Sequence, residues 1–407
     1  MTLIGWSSLS RPPERPRNRR LSLTKPRPWS RQPRPPEDGT HPDQPRNRWL
    51  SLTKPRLAGA GLILGPLGLP WRARVLLVTL ACLVAAGLVF TAGIAAGSAS
   101  MTLTDVIASL AGAGTKAQQF IVFELRLPRA AAGVAVGLCL GLAGALTQTF
   151  SRNPLATPDI IGVTSGASAG AVAAIVLGGG GYSVGASLLG FGIPVVATVG
   201  GLVAAAIVYG LSWRNGVDSY RLILIGIGVT ASLGGITSYL LVRAQLTQAT
   251  AATQWLVGSL SGVSWASVWP MVVALVVVTP IALAQSAPLG ITQLGDEFAN
   301  GLGVAVQRHR LLVIAAAVVL TSAAVSAAGP VEFVAFVAPQ LARRLAGTAR
   351  PPLLASALVG GVLVLAADVA ARAAFAGELP VGILTAVIGA PYLIWLLTRR
   401  DDKRRTA

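Results

Sequence analysis

Long apolar runs recur along the chain near residues 75–97, 128–150, 188–211, 221–242, 266–285, 310–328, 353–375 and 380–397, separated by short polar breaks. Each approaches the ~20 residues a helix needs to cross a hydrocarbon core of about 30 Å. With no water in that core, backbone N–H and C=O groups must pair within the segment, so the runs are read as helices. Two further stretches, near 161–178 and 331–346, are shorter or more polar, and hydropathy alone leaves them doubtful. Gly133, Gly137 and Gly141 fall on one helical stripe, and Gly162, Gly166 and Gly170 on another. Small residues at that spacing let helix backbones approach closely where lipid removes the usual drive to associate. The pattern predicts an all-α polytopic membrane protein built as a dense helical bundle.

The positions of charged residues arbitrate the doubtful spans. If all ten cross, both termini share one side with the loops around Arg152, Arg214, Arg221, Arg308, Arg310, Arg343, Arg344 and Arg350. The opposite loops hold only Lys116, Arg126, Arg129, Arg243 and Arg372. The side richer in Lys and Arg is cytoplasmic by the positive-inside rule, and skipping either doubtful span alone breaks the bias. Trp71, Tyr182, Trp213, Tyr220, Trp265, Trp269 and Tyr392 mostly sit near span ends, as interfacial anchors do.

Composition agrees: 53% of residues are hydrophobic and 12% charged, and the mean hydropathy is +0.66. That excludes a water-soluble enzyme. The net charge of +18 suggests nucleic acid until it is divided, because residues 1–74 hold 15 Lys/Arg against 4 Asp/Glu. Residues 1–70 are rich in Pro, Arg and Ser, lack an apolar face, and are expected to be a disordered basic tail preceding a transmembrane domain over 71–407. Within the tail, PRNRRLSLTKPR at Pro16–Arg27 recurs as PRNRWLSLTKPR at Pro45–Arg56. Three readings of the tail stay open: an inert extension, an arm drawn to anionic headgroups, or nucleic-acid binding, the last the weakest. It lacks the layout of a signal peptide.

Several chemistries are missing. No GxxxxGK[ST] motif occurs, so ATP hydrolysis is not expected from this chain. Cys82 and Cys139 lie inside apolar runs and read as small buried hydrophobes. His41 and His309 have no metal-binding companions, and no nucleophile–base pair, cofactor site or metal site is visible. Asp368 is the one carboxylate deep in a clear span. It reads either as an ion or proton relay or, preferably, as a packing residue satisfied by hydroxyls or backbone.

The block LRLPRAAAGVAVGLCLGLAGALTQTFSRNPLATPDIIGVTSGASAG, Leu125–Gly170, resembles the iron-siderophore and vitamin B12 branch of ABC-importer permeases, the FecCD-like family, whose members carry similar RLPR, NPLA-x-PD-x-x-G and SGA words. WRNGVDSYRLILIGIGVTA (Trp213–Ala231), GPVEFVAFVAPQLARRLAGTAR (Gly329–Arg350) and ELPVGILTAVIGAPYLIWLL (Glu378–Leu397) are most similar to the second permease subunit of ferric-enterobactin-type importers. The resemblance implies about ten transmembrane helices in the type II ABC importer fold and a multi-pass place in the cytoplasmic membrane. It also implies the partners: a second permease subunit (a heterodimer rather than a homodimer), two copies of an ABC ATPase, and a substrate-binding lipoprotein delivering a ferric siderophore. Gln340 departs from the family, which commonly has His in that word.

The resemblance implies site residues as well. LGITQLGDEFANGLGVAVQRHR, Leu289–Arg310, matches the segment that couples to the ATPase, with Leu294, Gly295, Phe298, Ala299, Leu302 and Gly303 in its motif or contact face. From the residues alone it is a short helix capped by Thr292, carrying Asp296 and Glu297 early and ending at Gly301 and Gly303; a plain amphipathic surface helix is the alternative. Arg126 and Arg129 beside the second span, and Arg372, correspond to arginines that dock the binding protein in relatives; interfacial snorkelling is the alternative. The fifth span, Leu222–Leu241, would line the path, with Gly226, Gly228, Gly234 and Gly235 making it narrow and Ser232, Thr237 and Ser238 offering weak hydrogen bonding. Rival readings are a cobalamin or haem permease with the same architecture and, from another class, an ion-coupled secondary transporter. The scarcity of membrane carboxylates counts against the latter.

Overall fold

The computed structural model describes residues 73–95, 101–178, 192–214, 216–374 and 378–405, all within one compact unit, Gly59–Ala407. The basic tail and its repeat, Trp71 and Tyr182 lie outside the described residues. Among those described, regular structure is helical apart from an isolated bridge between Trp213 and Val217. The long helices are α1 (Ala73–Ala95), α4 (Leu127–Phe150), α6 (Ile193–Ser212), α7 (Ser219–Arg243), α9 (Trp265–Ala284), α12 (Val306–Ala328), α14 (Leu353–Ala374) and α15 (Val381–Arg405). Short helices α2 (Leu103–Leu110), α3 (Lys116–Phe120), α8 (Leu246–Leu256), α10 (Ser286–Ile291) and α11 (Asp296–Gly301) lie between them.

The two doubtful stretches are helical, α5 at Val163–Leu177 and α13 at Val334–Ala346, but at 15 and 13 residues they are short. Among the described residues, seven helical segments are long and apolar enough to cross a membrane. At about 1.5 Å per residue α13 rises only about 20 Å. The chain approaches it through a non-helical stretch that is buried at Gly329, Pro330 and Val331 and exposed at Glu332, followed by Phe333 in a left-handed conformation (φ 64°). Irregular backbone at that depth is tolerated only where protein covers it. Here Ser259 N–H donates to Ala328 O at 2.7 Å and Gly382 N–H to Gly258 O at 3.0 Å, joining the starts of α9 and α15 to the end of α12.

α4 is the centre of the bundle. Eighteen of its residues are buried, and it packs along α14, α12 and α13. Its glycine stripe works as expected at two positions: a Cβ on Gly137 would run into Gly360 O, and one on Gly141 into Ser356 O. The second stripe does the same where α5 crosses α6, with Gly166 against Gly200 and Ala204, and Gly170 2.8 Å from Val196 O by the same measure. A Cβ on Gly133 would be tight only against side chains, Leu365 at 3.2 Å and Leu260 at 3.3 Å, with the Leu365 backbone in ordinary contact at 3.6 Å. Gly162 corrects the stripe reading. It precedes α5 in a left-handed conformation (φ 78°) with nothing nearer than 3.6 Å, so it is needed for the turn rather than for packing.

The tightest approach on α4 lies off the anticipated stripe, at Gly144 against Ala335 O of α13. Gly144→Val is expected to destabilise the bundle by about 1–3 kcal/mol or more, because both sides are backbone and cannot yield. Gly87→Ala, with nothing within 4 Å, should leave thermal unfolding of the detergent-purified protein unchanged.

Candidate functional site

α4 runs from Arg129 near one end of the bundle to Arg152 just past the other, and the two ends carry different chemistry. At the Arg152 end, Ser151 Oγ donates back to Thr147 O at 2.6 Å as the helix closes. Arg152 then takes a left-handed conformation (φ 52°), a cost for a residue with a Cβ that persists only where the surroundings enforce it. Its guanidinium donates to Thr292 O and, at 2.6 Å, to Asp296 Oδ1. The elbow continues through Asn153, whose Oδ1 accepts from Leu155 N–H at 2.9 Å, and a 3-10 turn at Pro158–Ile161.

The segment between α9 and α12 is arranged on that elbow. α10 is followed by a 3-10 turn at Thr292–Leu294, Gly295 at φ 120°, and α11. Thr292 is therefore not the cap of α11: its hydroxyl donates to Leu289 O at 3.3 Å, and Gly295 precedes the first helical residue. α11 ends at Gly301, and the turn closes through Gly303 (φ 82°), with Val304 N–H bonded to Ala299 O at 3.0 Å.

Leu294, Phe298 and Leu302 project outward, at 69%, 57% and 59% exposed. Ala299 does not share their face; it is fully buried, because it packs α11 back onto the body. An Arg at that position would thus disturb the fold of the segment itself. A Cβ on Gly295, Gly301 or Gly303 would meet nothing within 4 Å, so the surface around the three apolar side chains is open. Three large exposed apolar residues on so short an element form an unpartnered ridge.

Asp296, at the start of α11, is bound twice: its Oδ2 accepts from Arg310 of α12 at 2.5 Å while Oδ1 holds Arg152. Arg310 also donates to Val217 O at 2.7 Å. Sequence reading placed these charges at one end but not in one cluster, because Arg152 and Asp296 lie 144 residues apart. Deeper in the bundle, Gln340 Nε2 donates to Gln148 Oε1 at 2.5 Å and to Pro154 O at 3.1 Å, fixing the elbow from the α13 side.

α7 starts two residues beyond Val217. Gly228 and Ser232 lie on its exposed face, with Gly234, Gly235 and Ser238. Ser232 Oγ is already bonded to Gly228 O at 2.9 Å. Gly226 and Thr237 depart from the lining expectation: Gly226 abuts Ile160 O, and Thr237 is buried with its hydroxyl on Leu233 O at 2.9 Å.

At the opposite end, α3 leads through a π-type turn at Ile121–Arg126 directly into α4, so the segment before the second span is helical and not a loop. Pro128 lacks an N–H, and Leu127 N–H reaches back to Val122 O. The arginines turn inward instead of presenting their charges outward. Arg126 is buried and donates to Ile94 O at 2.9 Å and Ala95 O at 3.0 Å, capping the end of α1. Arg129 and Arg372 grip Asp368 from two sides at 3.0 and 2.8 Å. Asp368 is thus paired with two arginines, hydrogen-bonded to Arg129 through Oδ1 and in ion-pair contact with Arg372 through Oδ2, rather than held by the hydroxyls or backbone expected. Arg129 also binds Glu378 at 2.9 Å, and Ser261 Oγ donates to the same carboxylate at 3.1 Å. These contacts, the Arg129 hydrogen bond first, hold the Glu378 carboxyl below its ordinary range, although the side chain is 51% exposed.

Comparison with known proteins fits this geometry. Residues 72–399 match the model of the FecCD transport family. The chain is 40% identical over 333 residues to the ferric enterobactin transport permease FepG of Escherichia coli, covering 81% of this chain and 98% of that one. It is 37% identical over 292 residues to the iron(3+)-hydroxamate import permease FhuG of Bacillus subtilis (71% and 87% covered). It is 41% identical over 285 residues to the cobalamin import permease BtuC of Halobacterium salinarum (70% and 74% covered). Among solved structures, an inward-facing metal-chelate type ABC transporter aligns with a TM-score of 0.68 at 28% identity, over 80% of this chain and 99% of that one. Matched by the family model over residues 72–399, this chain belongs to the FecCD transport family.

Proposed function

We propose that this chain is a transmembrane subunit of an ABC importer that carries ferric siderophores across the cytoplasmic membrane, and that it makes and breaks no bonds itself. One observation carries the transport reading: the braced loop bearing Leu294, Phe298 and Leu302 presents an apolar ridge with no partner among the described residues. Such a patch in water calls for another protein, and a separate ATPase dimer, driving the cycle from this end, is the partner that the family affords. The iron cargo follows from similarity to permeases for ferric enterobactin and iron(3+)-hydroxamate.

In this reading the Arg152 end is cytoplasmic, as are both termini, and the chain crosses ten times, with α5, α13 and α15 completing the seven long spans. The exposed face of α7 lines the path together with a second permease, a different chain forming a heterodimer. Because Ser232 is bonded within its own helix, that face offers little to grip a chelate, and selectivity rests with the binding lipoprotein. That lipoprotein docks at the Arg129 end. Arg126 and Arg372 serve there mainly by holding the shape of the surface, whereas Arg129 can take up a partner carboxylate only by exchanging it for Glu378. A cobalamin cargo is the second reading, favoured by the similarity to the Halobacterium permease.

Deleting the gene should abolish uptake of one class of ferric chelate from a panel of radioiron-labelled catecholates and hydroxamates. Loss of labelled cobalamin uptake with every ferric chelate unaffected would keep the architecture and replace the cargo. Affinity purification of a tagged copy beside an untagged one separates the dimers: recovery of the untagged copy indicates a homodimer, and recovery of a second permease indicates a heterodimer.

A further inference from the structure

We infer that Arg310 is a positioning residue that transmits movement of the α11 loop to the path helix α7, an assignment that rests on the importer reading above. Two contacts meet at its guanidinium, and a third grips the same Val217 backbone. Its Nη2 binds Asp296 Oδ2 at 2.5 Å, the first residue of α11, and its Nη1 donates to Val217 O at 2.7 Å, two residues before α7 begins. One turn earlier on α12, Gln307 Oε1 accepts from Val217 N–H at 3.1 Å. Residues 307 and 310 share a helical face. The Val217 peptide is therefore gripped on both its N–H and its C=O by one face of α12.

The fit around this grip is close. Gly216, immediately before Val217, adopts φ 129°, and a Cβ there would come within 2.5 Å of Gln307 Nε2. Val217 itself is buried in a cluster with Leu222 of α7, Ile161 of the elbow turn and Ile314 of α12. The same Asp296 that holds Arg310 holds Arg152 on its other oxygen. A displacement of α11 thus pulls through short charge-assisted bonds on the elbow before α5 and on the start of α7, while its apolar ridge stays free to engage another protein. Charge-assisted forks of this kind are short and geometrically fixed, which suits a link that must act without slack. A lysine could keep the ion pair to Asp296, but its single ammonium lacks the planar fork that reaches Val217 O at the same time.

The test uses the whole complex. In cells lacking the gene, wild-type and variant copies are compared for radioiron uptake from the panel of ferric catecholates and hydroxamates. ATP hydrolysis is measured on the assembly co-purified through a tag on this chain. Arg310→Gln is expected to lower the maximal uptake rate about tenfold, without changing the chelate concentration for half-maximal uptake and with hydrolysis retained. Arg310→Lys should show the same separation of uptake from hydrolysis in milder form. Asp296→Asn combined with Arg310→Gln should be no worse than Asp296→Asn alone, since losing the carboxylate already breaks the Arg310 link along with the Arg152 one.

Undiminished uptake by Arg310→Gln would overturn the assignment. So would a parallel fall of uptake, hydrolysis and membrane level in both Arg310 variants, which marks a residue needed only for folding, or multiplicative losses in the double variant. If the wild-type copy itself restores no chelate uptake, the importer reading fails first, a result separable from failure of the Arg310 link.

Discussion

Phe298→Asp is expected to abolish uptake while leaving the chain at normal levels in the membrane. Phe298 is more than half exposed and stands between Leu294 and Leu302 on a loop fixed by Asp296, so its replacement removes no contact the isolated fold depends on. Exposed substitutions of this kind usually change stability by less than about 0.5 kcal/mol. In a partner's cleft the balance reverses. Truncating a buried aromatic anchor typically costs about 2–4 kcal/mol, and a carboxylate placed there adds the penalty of an unpaired charge. A loss of about 4 kcal/mol corresponds to roughly a thousandfold weaker association. Leu302→Asp should act in the same direction. Immunoblotting of membranes, co-purification of the ATPase and chelate uptake check the three parts separately; normal uptake with Phe298→Asp would remove the ridge from the mechanism. Ala299→Arg is the wrong test, because Ala299 is fully buried and its loss would confound folding with coupling.

Asp368→Leu should cost about 3–5 kcal/mol of stability, the range for breaking a buried ion pair by removing one partner. The carboxylate is almost completely enclosed and separates Arg129 from Arg372. Without it, two guanidiniums face one another at the outer quarter of α4 and α14, and Arg126 adds a third positive charge near Arg372. Arg129 would retain Glu378, but that acid is half exposed and compensates weakly. The expected result is low recovery from membranes and a clearly lowered Tm in detergent. A second variant separates packing from charge: Asp368→Leu with Arg372→Leu should recover much of the loss, since it removes the stranded cation as well. Unchanged stability in Asp368→Leu would show that the carboxylate is not holding this end together.

The sequence made the membrane bundle legible because apolarity in a lipid-spanning helix is a local property. The runs that became α1, α4, α6, α7, α9, α12, α14 and α15 could be read without knowing their neighbours. The glycine spacing at Gly137 and Gly141 was likewise readable, since small-residue stripes imply close backbones whatever the partner. Gly162 was misassigned because spacing does not distinguish a glycine chosen for room from one chosen for positive φ. The inward turn of Arg129 depends on Asp368, 239 residues away, and no local pattern carries that pairing. The same holds for Arg152 and Asp296, 144 residues apart. Ala299 was assigned to the outer face through its i,i+3 spacing to Leu302, but α11 ends at Gly301, before Leu302, and Ala299 lies about 100° round the helix from Phe298.

Drive through the α11 loop by a separate ATPase is read out as accumulation of a ferric siderophore in vesicles reconstituted with the affinity-purified assembly and its binding protein, with ATP supplied on the Arg152 side and no ion gradient. ATP-dependent accumulation that Phe298→Asp eliminates is expected. Accumulation driven by an imposed proton or sodium gradient, without ATP and without a co-purified ATPase, would contradict it.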